Sequence, residues 1–360
     1  MGSGPTSDQS LGLRVGDVVE VRSEQEILAT LDDEGRLDGL PFMPEMLPFC
    51  GQRFRVHKRA DKTCDPVTTT RGGHIRRMHD TVHLEGLRCD GAAHGGCQAQ
   101  CLMYWKEAWL RRADGSPTAR PGLNGTDQRR TLPLAPVTNR ATLEHHTRKH
   151  DGASASSPTF SCQATDVVGA STVLPWWEPT QYVRDLRSGN VRIGELLVGL
   201  LILLFNKMQA ANEIFFPRFQ LIRGGRRYPF YEGKLEKKTP HGTLDLQPGE
   251  LVRIKSKEQI EATLNQDSEN RGLRFGLEMV RYCGREASVV RRVDQIIDES
   301  SGKMIKMKNP CIILEDVICT GECFQMCPRS MYPYWREIWL ERIDATDTSP
   351  RLAYHDANGG

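Results

Sequence analysis

Alternating apolar and polar residues predict a short strand near the start of the chain. Residues Asp17–Ser23 read DVVEVRS, an alternation typical of a half-buried strand. Ser23 is followed three positions later by Glu26, which is the capping-box pattern of a helix N-terminus. The sequence therefore predicts a strand followed at once by a short capped helix.

The same pattern returns in the last third of the chain. Val15–Gly51 aligns with Pro248–Gly284, without a gap from Gly16 onward, and Ser256 with Gln259 repeats the capping pair. The similarity resumes between Cys97–Arg112 and Cys323–Arg342. An internal repeat of this kind indicates one module of roughly 100 residues that is present twice.

Each module has the pattern of a small, strongly bent β-barrel. Four to six short strand candidates surround one short helix, and the second copy contains a hairpin signal at Gly302. The predicted fold class is α+β, mainly β, with two small SH3-like (or OB-like) barrel modules flanking a helical hairpin. The predicted divisions are a disordered N-terminus 1–11, barrel module 1 at 12–114, a flexible linker 115–159, a helical segment 160–216, an irregular basic and aromatic connection 217–245, barrel module 2 at 246–346 and a tail 347–360.

One apolar run dominates the helical segment. Ile193–Phe205 reads IGELLVGLLILLF, which is shorter than the roughly 20 residues that cross a bilayer and contains Glu195. Its apolar residues lie nearly all round the helix, so we expect a core or interface helix that is covered on most sides. The helix 191–212 is therefore predicted either to pack between the modules or to form a homodimer interface.

Composition narrows the functional classes. The chain has 360 residues, a formal net charge of +2 and 11 cysteines. No apolar stretch follows Met1, so we expect a cytoplasmic, reducing location in which clustered cysteines are metal ligands or reactive thiols rather than disulfides. The sequence contains no G-x-S-x-G, P-loop, Rossmann glycine or H-E-x-x-H motif.

The clustered cysteines carry the strongest chemical signal. Cysteines align between the copies as Cys50 with Cys283, Cys89 with Cys319, Cys97 with Cys323 and Cys101 with Cys327. In each copy the last three could form a glycine-bent cysteine knuckle that holds zinc, and an iron–sulfur cluster is the alternative cofactor. Cys50, Cys64 or His94 could supply the fourth ligand in module 1, and Cys283 or Cys311 in module 2. Filling of a compact core by small cysteines, or a redox role, remains open. The predicted metal ligands are Cys64, Cys89, Cys97, Cys101, Cys311, Cys319, Cys323 and Cys327.

An aromatic segment is also repeated. YWKEAWL at Tyr104–Leu110 matches YWREIWL at Tyr334–Leu340, and Glu107 corresponds to Glu337. The tryptophans either form each module's core or line an aromatic groove for a peptide. The repeated glutamates could pair with arginines of the adjacent module or belong to a site. Glu45 and Glu278 are repeated too, which is compatible with catalysis and equally with a buried acid that caps a turn. The predicted partner-binding residues are Trp105, Trp109, Trp335 and Trp339.

Two functional hypotheses follow. The first is a metal-binding, duplicated-barrel accessory protein that binds a protein or peptide partner. The alternative is a metal- or thiol-dependent enzyme, with its site between the modules or in module 1, where Cys64 and His57, His74, His79, His83 and His94 have no counterparts. The near-neutral charge argues against nucleic-acid binding through the basic, aromatic stretch Pro217–Tyr231.

Several segments resemble a family of bacterial proteins. GLRFGLEMVRYCG, CPRSMYPYWREIWLERI and CDGAAHGGCQAQC, with the central YVRDLRSGNV, are similar to an uncharacterised family of hypothetical proteins that has two cysteine-containing repeats and a central helical segment. The resemblance covers most of the chain except the linker and both tails. No activity is known for that family, so it implies no catalytic residue.

Overall fold

A computed structural model describes residues 10–65, 75–113, 138–149, 158–215, 222–236 and 238–343. Within these ranges the protein is mixed α/β, with more residues in strands than in α-helices. Almost all of the N-terminus predicted to be disordered and the whole predicted tail lie outside the described residues.

The secondary-structure elements are numbered in chain order. The strands are β1 (Val18–Val21), β2 (Arg36–Leu37), β3 (Leu40–Pro41), β4 (Arg53–Arg59), β5 (Lys62–Cys64), β6 (Ile75–Arg77), β7 (Thr81–Arg88), β8 (Leu102–Lys106), β9 (Leu110–Arg112), β10 (Arg148–Lys149), β11 (Thr159–Phe160), β12 (Thr172–Leu174), β13 (Leu251–Ile254), β14 (Glu269–Asn270), β15 (Leu273–Arg274), β16 (Glu286–Ile297), β17 (Met304–Leu314) and β18 (Leu340–Arg342). The α-helices are α1 (Glu24–Leu28), α2 (Arg140–His146), α3 (Gln163–Asp166), α4 (Thr180–Ser188), α5 (Ile193–Phe215) and α6 (Lys257–Glu261). Short 3-10 helices are formed by Pro44–Phe49, Glu107–Trp109, Arg223–Gly225, Leu277–Tyr282 and Glu337–Trp339.

The described chain divides into two compact units. Unit 1 contains 1–228, 294–307 and 318–332, and unit 2 contains 229–293, 308–317 and 333–360. These divisions differ from the predicted modules, because the turn between β16 and β17 and the second cysteine segment belong to unit 1. The amide of Phe160, for example, donates to the carbonyl of Gly302 at 2.8 Å.

The main sheet of unit 1 has five antiparallel strands in the order β8-β7-β4-β1-β9. Strands β8 and β9 follow each other in the chain but lie on opposite edges of the sheet. The 3-10 helix Glu107–Trp109 carries the chain between these edges, so the sheet must curl. Unit 1 therefore contains a curled, half-barrel sheet.

Unit 2 contains the second curled sheet. Its strand order is β17-β16-β13-β18, and the 3-10 helix Glu337–Trp339 precedes the edge strand β18. Matching elements occur at a constant spacing along the chain: β1 and β13, α1 and α6, and the two longer 3-10 helices. Both predicted capping boxes are confirmed, since Ser23 Oγ accepts from the amide of Glu26 and Ser256 Oγ from that of Gln259.

The four repeated tryptophans are core residues. Trp105, Trp109, Trp335 and Trp339 are each 0% exposed. The indole N–H groups of Trp109 and Trp339 donate to Thr30 and Thr263, at matching positions of the two copies. The structure therefore does not form an exposed aromatic groove from these residues. Instead, two buried indole rings supply much of the apolar core of each small unit.

Part of the region predicted to be a flexible linker is ordered. Helix α2 begins after Asn139, whose side chain accepts from the amide of Thr142, and Leu143 on this helix is buried in the core of unit 1. The structure differs from the prediction here because capping and one buried leucine anchor the segment. The rest of 115–159, apart from residues 138–149 and 158–159, lies outside the described residues.

Helices α4 and α5 correspond to the two helices predicted in the central segment, and they contact each other. Helix α4 ends at Gly189, whose φ of +78° is the left-handed conformation usual at a helix C-terminus. Helix α5 is less covered than predicted. Its length and composition would suffice to cross a membrane, and only 28% of its most apolar window is buried.

Candidate metal and thiol site

Two cysteine knuckles, residues 89–101 and 319–331, both belong to unit 1. They are named the first and second knuckles. Each turns at a glycine with positive φ, Gly91 at +75° and Gly321 at +76°. A Cβ atom at either glycine would collide with the backbone carbonyl of a cysteine later in the same knuckle, Cys97 or Cys327. Only glycine fits these two turns.

The two knuckles are equivalent without a gap. Positive φ values occur at Gly91, Gly95, Gly96 and Gln100, and again at Gly321, Gln325, Met326 and Ser330. The amides of His94 and Gly96 donate to the carbonyl of Gly91, as those of Phe324 and Met326 do to Gly321. The turn and its hydrogen bonds thus recur position by position.

The predicted pairing of the knuckle cysteines is therefore wrong in part. Cys89 does correspond to Cys319, but Cys97 corresponds to Cys327, and Cys101 corresponds to Met331. Cys323 has no cysteine counterpart, and His94 is replaced by Phe324. The sequence-based pairing implies that the second knuckle is shorter than the first. The two knuckles are instead equally long.

The metal-ligand side chains that converge among the described residues are not one of the predicted four-thiol sets. Cys311 belongs to unit 2, where Arg336 Nη1 lies 3.4 Å from its Sγ, while the three cysteines of the second knuckle belong to unit 1. Cys64, on strand β5, is held beside the second knuckle, because its amide donates to Cys327 Sγ at 3.1 Å. Cys64, predicted as a metal ligand with the first knuckle, thus has a direct contact with Cys327 of the second knuckle.

A different group of side chains does converge in unit 1. Glu45, Cys89 and His94 each offer one ligand atom, and these atoms lie within 4.8 Å of one another. Glu45 comes from the 3-10 helix Pro44–Phe49, and the other two come from the first knuckle. Zinc ligands at about 2.0–2.3 Å from the ion are roughly 3.3–3.8 Å apart, so closure of the three side chains by about 1 Å would bring them to this spacing and supply three of the usual four ligands.

Hydrogen bonding leaves two ligand atoms of this group unused. Glu45 Oε1 lies 2.5 Å from His94 Nδ1 and accepts from the amide of Ala93 at 2.9 Å. Glu45 Oε2 and His94 Nε2 are buried, and neither has a hydrogen-bond partner among the described residues. Buried polar atoms are almost always satisfied, so these two atoms are candidates for contact with a bound ligand.

The electrostatics of the group suit a cation. Burial alone would raise the pKa of Glu45, but the hydrogen bond and charge of His94 outweigh burial and lower this pKa below the usual value. Burial, reinforced by the charge of Glu45, raises the pKa of the Cys89 thiol well above its usual value. Cys89 is therefore a neutral thiol without a metal, and a divalent ion would stabilise its thiolate.

A narrow cavity adjoins these ligands. Its free volume is about 30 Å³, which admits an ion or one or two water molecules. Burial raises the pKa of Cys162 to about 11 and also raises that of Cys101. The charged and sulfur-bearing residues that line this cavity include Cys89, His94, Cys97, Cys101, Cys162 and Arg329.

Sequence reasoning identified these residues unevenly. The sequence predicts His94 and Cys89 as candidate ligands and Glu45 as a repeated acid that could be catalytic or cap a turn, and it assigns no role to Cys162 or Arg329. The repetition of Glu45 as Glu278 is a signal in the sequence, but it does not indicate how close Glu45 lies to the first knuckle. Among the other histidines of module 1, His83 is buried and its Nδ1 lies 2.9 Å from the carbonyl of Met103, and His74 lies outside the described residues.

The repeated glutamates Glu107 and Glu337 have a structural role. Glu107 accepts from the amides of Leu11, Gly12 and Leu13, and Glu337 accepts from the three equivalent amides of residues 244–246. Each is also paired with an arginine of its own copy, Arg59 or Arg292. The predicted pairing with arginines of the adjacent module is therefore not observed in the part of the chain that the structure describes.

Comparisons of the chain with protein-family models, with curated proteins and with solved structures find no match.

Proposed function

We propose that this chain is a metal-binding accessory protein in which Glu45, Cys89 and His94 hold one zinc ion. The observation that carries the proposal is the convergence of these three side chains with two buried ligand atoms, Glu45 Oε2 and His94 Nε2, that lack a partner among the described residues. A carboxylate, a thiolate and an imidazole are all ordinary zinc ligands. The ion would fasten the 3-10 helix Pro44–Phe49 to the first knuckle.

Zinc is favoured over an iron–sulfur cluster by the ligand set. Such clusters are held mainly by four cysteine thiolates, whereas this group contains one thiol, one imidazole and one carboxylate. The second copy carries Phe324 where the first carries His94, so it lacks the imidazole. The proposed stoichiometry is therefore one zinc ion per chain, instead of one per module.

An accessory role is favoured over the enzyme alternative by the size of the cavity beside the ligands. A volume of about 30 Å³ is far below the roughly 300 Å³ or more that is usual for small-molecule sites. A metal ion that stabilises a small folded unit needs no substrate pocket.

Metal analysis of the full-length protein, purified without chelator, tests the zinc proposal. We expect about one zinc per chain in the wild type, and a loss of at least tenfold in zinc affinity in His94→Phe and Cys89→Ser. His94→Phe is the matched variant, because Phe324 already occupies the equivalent position. Cys50→Ser is the control and should keep the ion. A wild type without zinc, or a His94→Phe variant that binds zinc normally, would contradict the proposal.

We also propose that a second copy of the chain is the partner and that it binds along α5. Large apolar side chains at Ile193, Leu197, Leu201, Leu204 and Met208 are 69%, 57%, 67%, 53% and 41% exposed. From Leu197 their spacing is four, three and four, which is the spacing of a coiled-coil seam. This stripe supports the predicted homodimer through helix 191–212.

Sedimentation of the double variant Leu201→Lys and Leu204→Lys tests the dimer. We expect the wild type to be dimeric and the double variant monomeric, while Val173→Lys, at an exposed apolar position on β12, should stay dimeric. A wild type that is monomeric at micromolar concentration, or one that binds lipid vesicles instead of a second copy of the chain, would contradict the proposed dimer.

We also propose that unit 1 is an SH3-like barrel and that the protein is cytoplasmic. The sheet order, with the first and last strands paired and a 3-10 helix before the last strand, supports an SH3-like barrel for unit 1. All 11 cysteines lie within the described residues as thiols rather than disulfides, which supports a reducing, cytoplasmic location.

A further inference from the structure

Cys64 and Cys327 form a thiol pair that the proposed zinc site does not use. They are separated by 263 positions in sequence, yet the amide of Cys64 donates to Cys327 Sγ at 3.1 Å, and each thiol shifts the pKa of the other. Cys327 is buried, whereas Cys64 is only partly buried. Both contact a small apolar cluster that includes Ile75, Leu174 and Phe324.

A buried arginine lies beside this pair. Arg329 is two residues after Cys327, its side chain is 3% exposed, and its Nη2 donates to both carboxylate oxygens of Glu299 at 3.0 Å. Its other terminal nitrogen, Nη1, is buried without a hydrogen-bond partner among the described residues. Since an arginine keeps its charge, this unpaired N–H group suits a nearby anion.

We propose that Cys64 is a peroxide-reactive thiol and that Cys327 resolves its oxidised form, so that the pair closes reversibly into a disulfide. Cys64 is the less buried of the two residues and is therefore the one that a small oxidant reaches first, while Cys327 is held against it. Arg329, although paired with Glu299, favours the negative charge of the attacking sulfur more than Glu299 opposes it. Two adjacent thiols of unequal exposure beside a cation are the usual arrangement of a redox-sensitive pair.

The chemistry balances with hydrogen peroxide as the oxidant. The Cys64 thiolate attacks one peroxide oxygen, the O–O bond breaks, and hydroxide leaves to give a sulfenic acid at Cys64. Cys327 then attacks the Cys64 sulfur, the S–O bond breaks, and the thiol proton leaves with the oxygen as water. Overall, two thiols and one peroxide give one disulfide and two water molecules. A small-molecule thiol would reverse the step by thiol–disulfide exchange.

The acidity of the two thiols agrees with this division of roles. The hydrogen bond from Cys327 lowers the pKa of Cys64 to about 7, against the opposing effect of burial and with help from Arg329. The same hydrogen bond and burial raise the pKa of Cys327 well above its usual value. Cys64 is therefore the more acidic of the two thiols, and Cys327 keeps its proton until the second step.

Mapping of the oxidised linkage tests the proposal. Full-length protein, with and without added zinc, is treated with hydrogen peroxide, blocked with N-ethylmaleimide, and cut with trypsin and Glu-C. Peptide 63–71 contains Cys64 as its only cysteine, and peptide 323–329 contains Cys323 and Cys327. We expect these peptides to be joined through Cys327, two hydrogens lighter than the separate thiols, with Cys323 alkylated, and to separate on addition of dithiothreitol.

Variants separate the proposed pair from other thiols. Cys327→Ser should abolish the linkage and leave Cys64 as a sulfenic acid that dimedone traps, while Cys323→Ser, the matched control, should leave it intact. Arg329→Met should slow the reaction of Cys64 with peroxide about tenfold near pH 6, and Arg329→Lys should restore much of the rate. The wild-type mapping needs no variant to fold.

Three outcomes would overturn the proposal: both thiols remain alkylated after peroxide treatment, Cys64 is joined to Cys323, or the same linkage forms equally fast in urea. None of them bears on zinc binding, which is measured separately through His94 and Cys89.

Discussion

At the scale of single residues, identical side chains receive different chemistry from their neighbours. Cys89 stays protonated because burial and Glu45 oppose its charge, whereas Cys64 is acidic because Cys327 and Arg329 favour its charge. The sequence could predict that these cysteines cluster. It could not predict which is the thiolate, because Arg329 lies near the opposite end of the chain from Cys64.

The buried carboxylate of Glu107 should be essential for stability. Glu107→Ala removes the acceptor of three backbone amides and leaves Arg59 partly buried without this partner. We expect a loss of about 3–5 kcal/mol in the free energy of unfolding, measured by urea denaturation. Glu286→Ala, which breaks an exposed pair with Arg253, should cost less than about 1 kcal/mol. Equal costs for the two variants would contradict the anchoring role.

Burial of His83 should make the protein sensitive to acid. Burial lowers the pKa of His83 from 6.5 to about 3, so the folded state holds this ring neutral while the unfolded state binds a proton below about pH 6.5. The stabilisation is complete above pH 6.5 and is lost progressively as the pH falls toward 3. From His83 we expect a loss of about 2 kcal/mol by pH 5 relative to pH 8.

Urea denaturation of wild type and His83→Asn at several pH values measures this effect. The variant should show a shallower decline between about pH 6.5 and 3, and His57, whose pKa burial lowers to about 4, should account for part of the remainder. Parallel pH curves for wild type and His83→Asn would show that His83 titrates normally in the folded protein.

At the scale of elements, the repeated pattern predicted the strand and the capped helix, and the apolar pattern of the central segment predicted its two helices. It did not predict the knuckle alignment, because cysteines were matched to cysteines. The backbone matches glycines and left-handed turns instead, pairing Cys97 with Cys327 and His94 with Phe324. The exposed face of α5 was not predicted either. An apolar composition indicates that a helix will be buried, but it does not identify the surface that buries it.

The turning glycine of each knuckle should tolerate no side chain. Gly91→Ala and Gly321→Ala put a methyl group into a backbone carbonyl at a positive φ. We expect each to cost about 3 kcal/mol or more in the free energy of unfolding. Gly51→Ala is the matched control: its φ is +76°, but nothing lies within 4 Å of the added carbon, so about 1 kcal/mol is expected. Similar losses at Gly91 and Gly51 would mean that conformation alone, without the close contact, determines the cost.

At the scale of the whole molecule, the two copies of the sequence are not two interchangeable halves. Both knuckles belong to unit 1, and only the first contains the imidazole of the proposed zinc site. The sequence predicted the duplication and the two sheets. It could not predict the grouping of the second knuckle with unit 1, because that grouping depends on contacts between residues far apart in the sequence.

Zinc should protect one unit selectively. Hydrogen exchange measured with zinc and with chelator should show slower exchange in residues 44–49 and 89–101 when the ion is bound. At a zinc concentration 100 times its Kd, protection of amides that exchange through opening of the site should rise about 100-fold. The amides of β13 in unit 2 serve as the internal control and should not change. Equal protection in both units would contradict a single site in unit 1.

The discontinuity of unit 1 has a consequence during synthesis of the protein. Its main sheet is complete once β9 has been made, but the second knuckle begins only at Cys319, close to the end of the chain. At translation rates of about 5–20 residues per second, the early part of unit 1 waits roughly 10–40 s for Cys327 and Arg329. During that interval Cys64 has neither its partner thiol nor the guanidinium. The newly made chain therefore cannot yet close the proposed disulfide, and this ability develops only when the late segment docks.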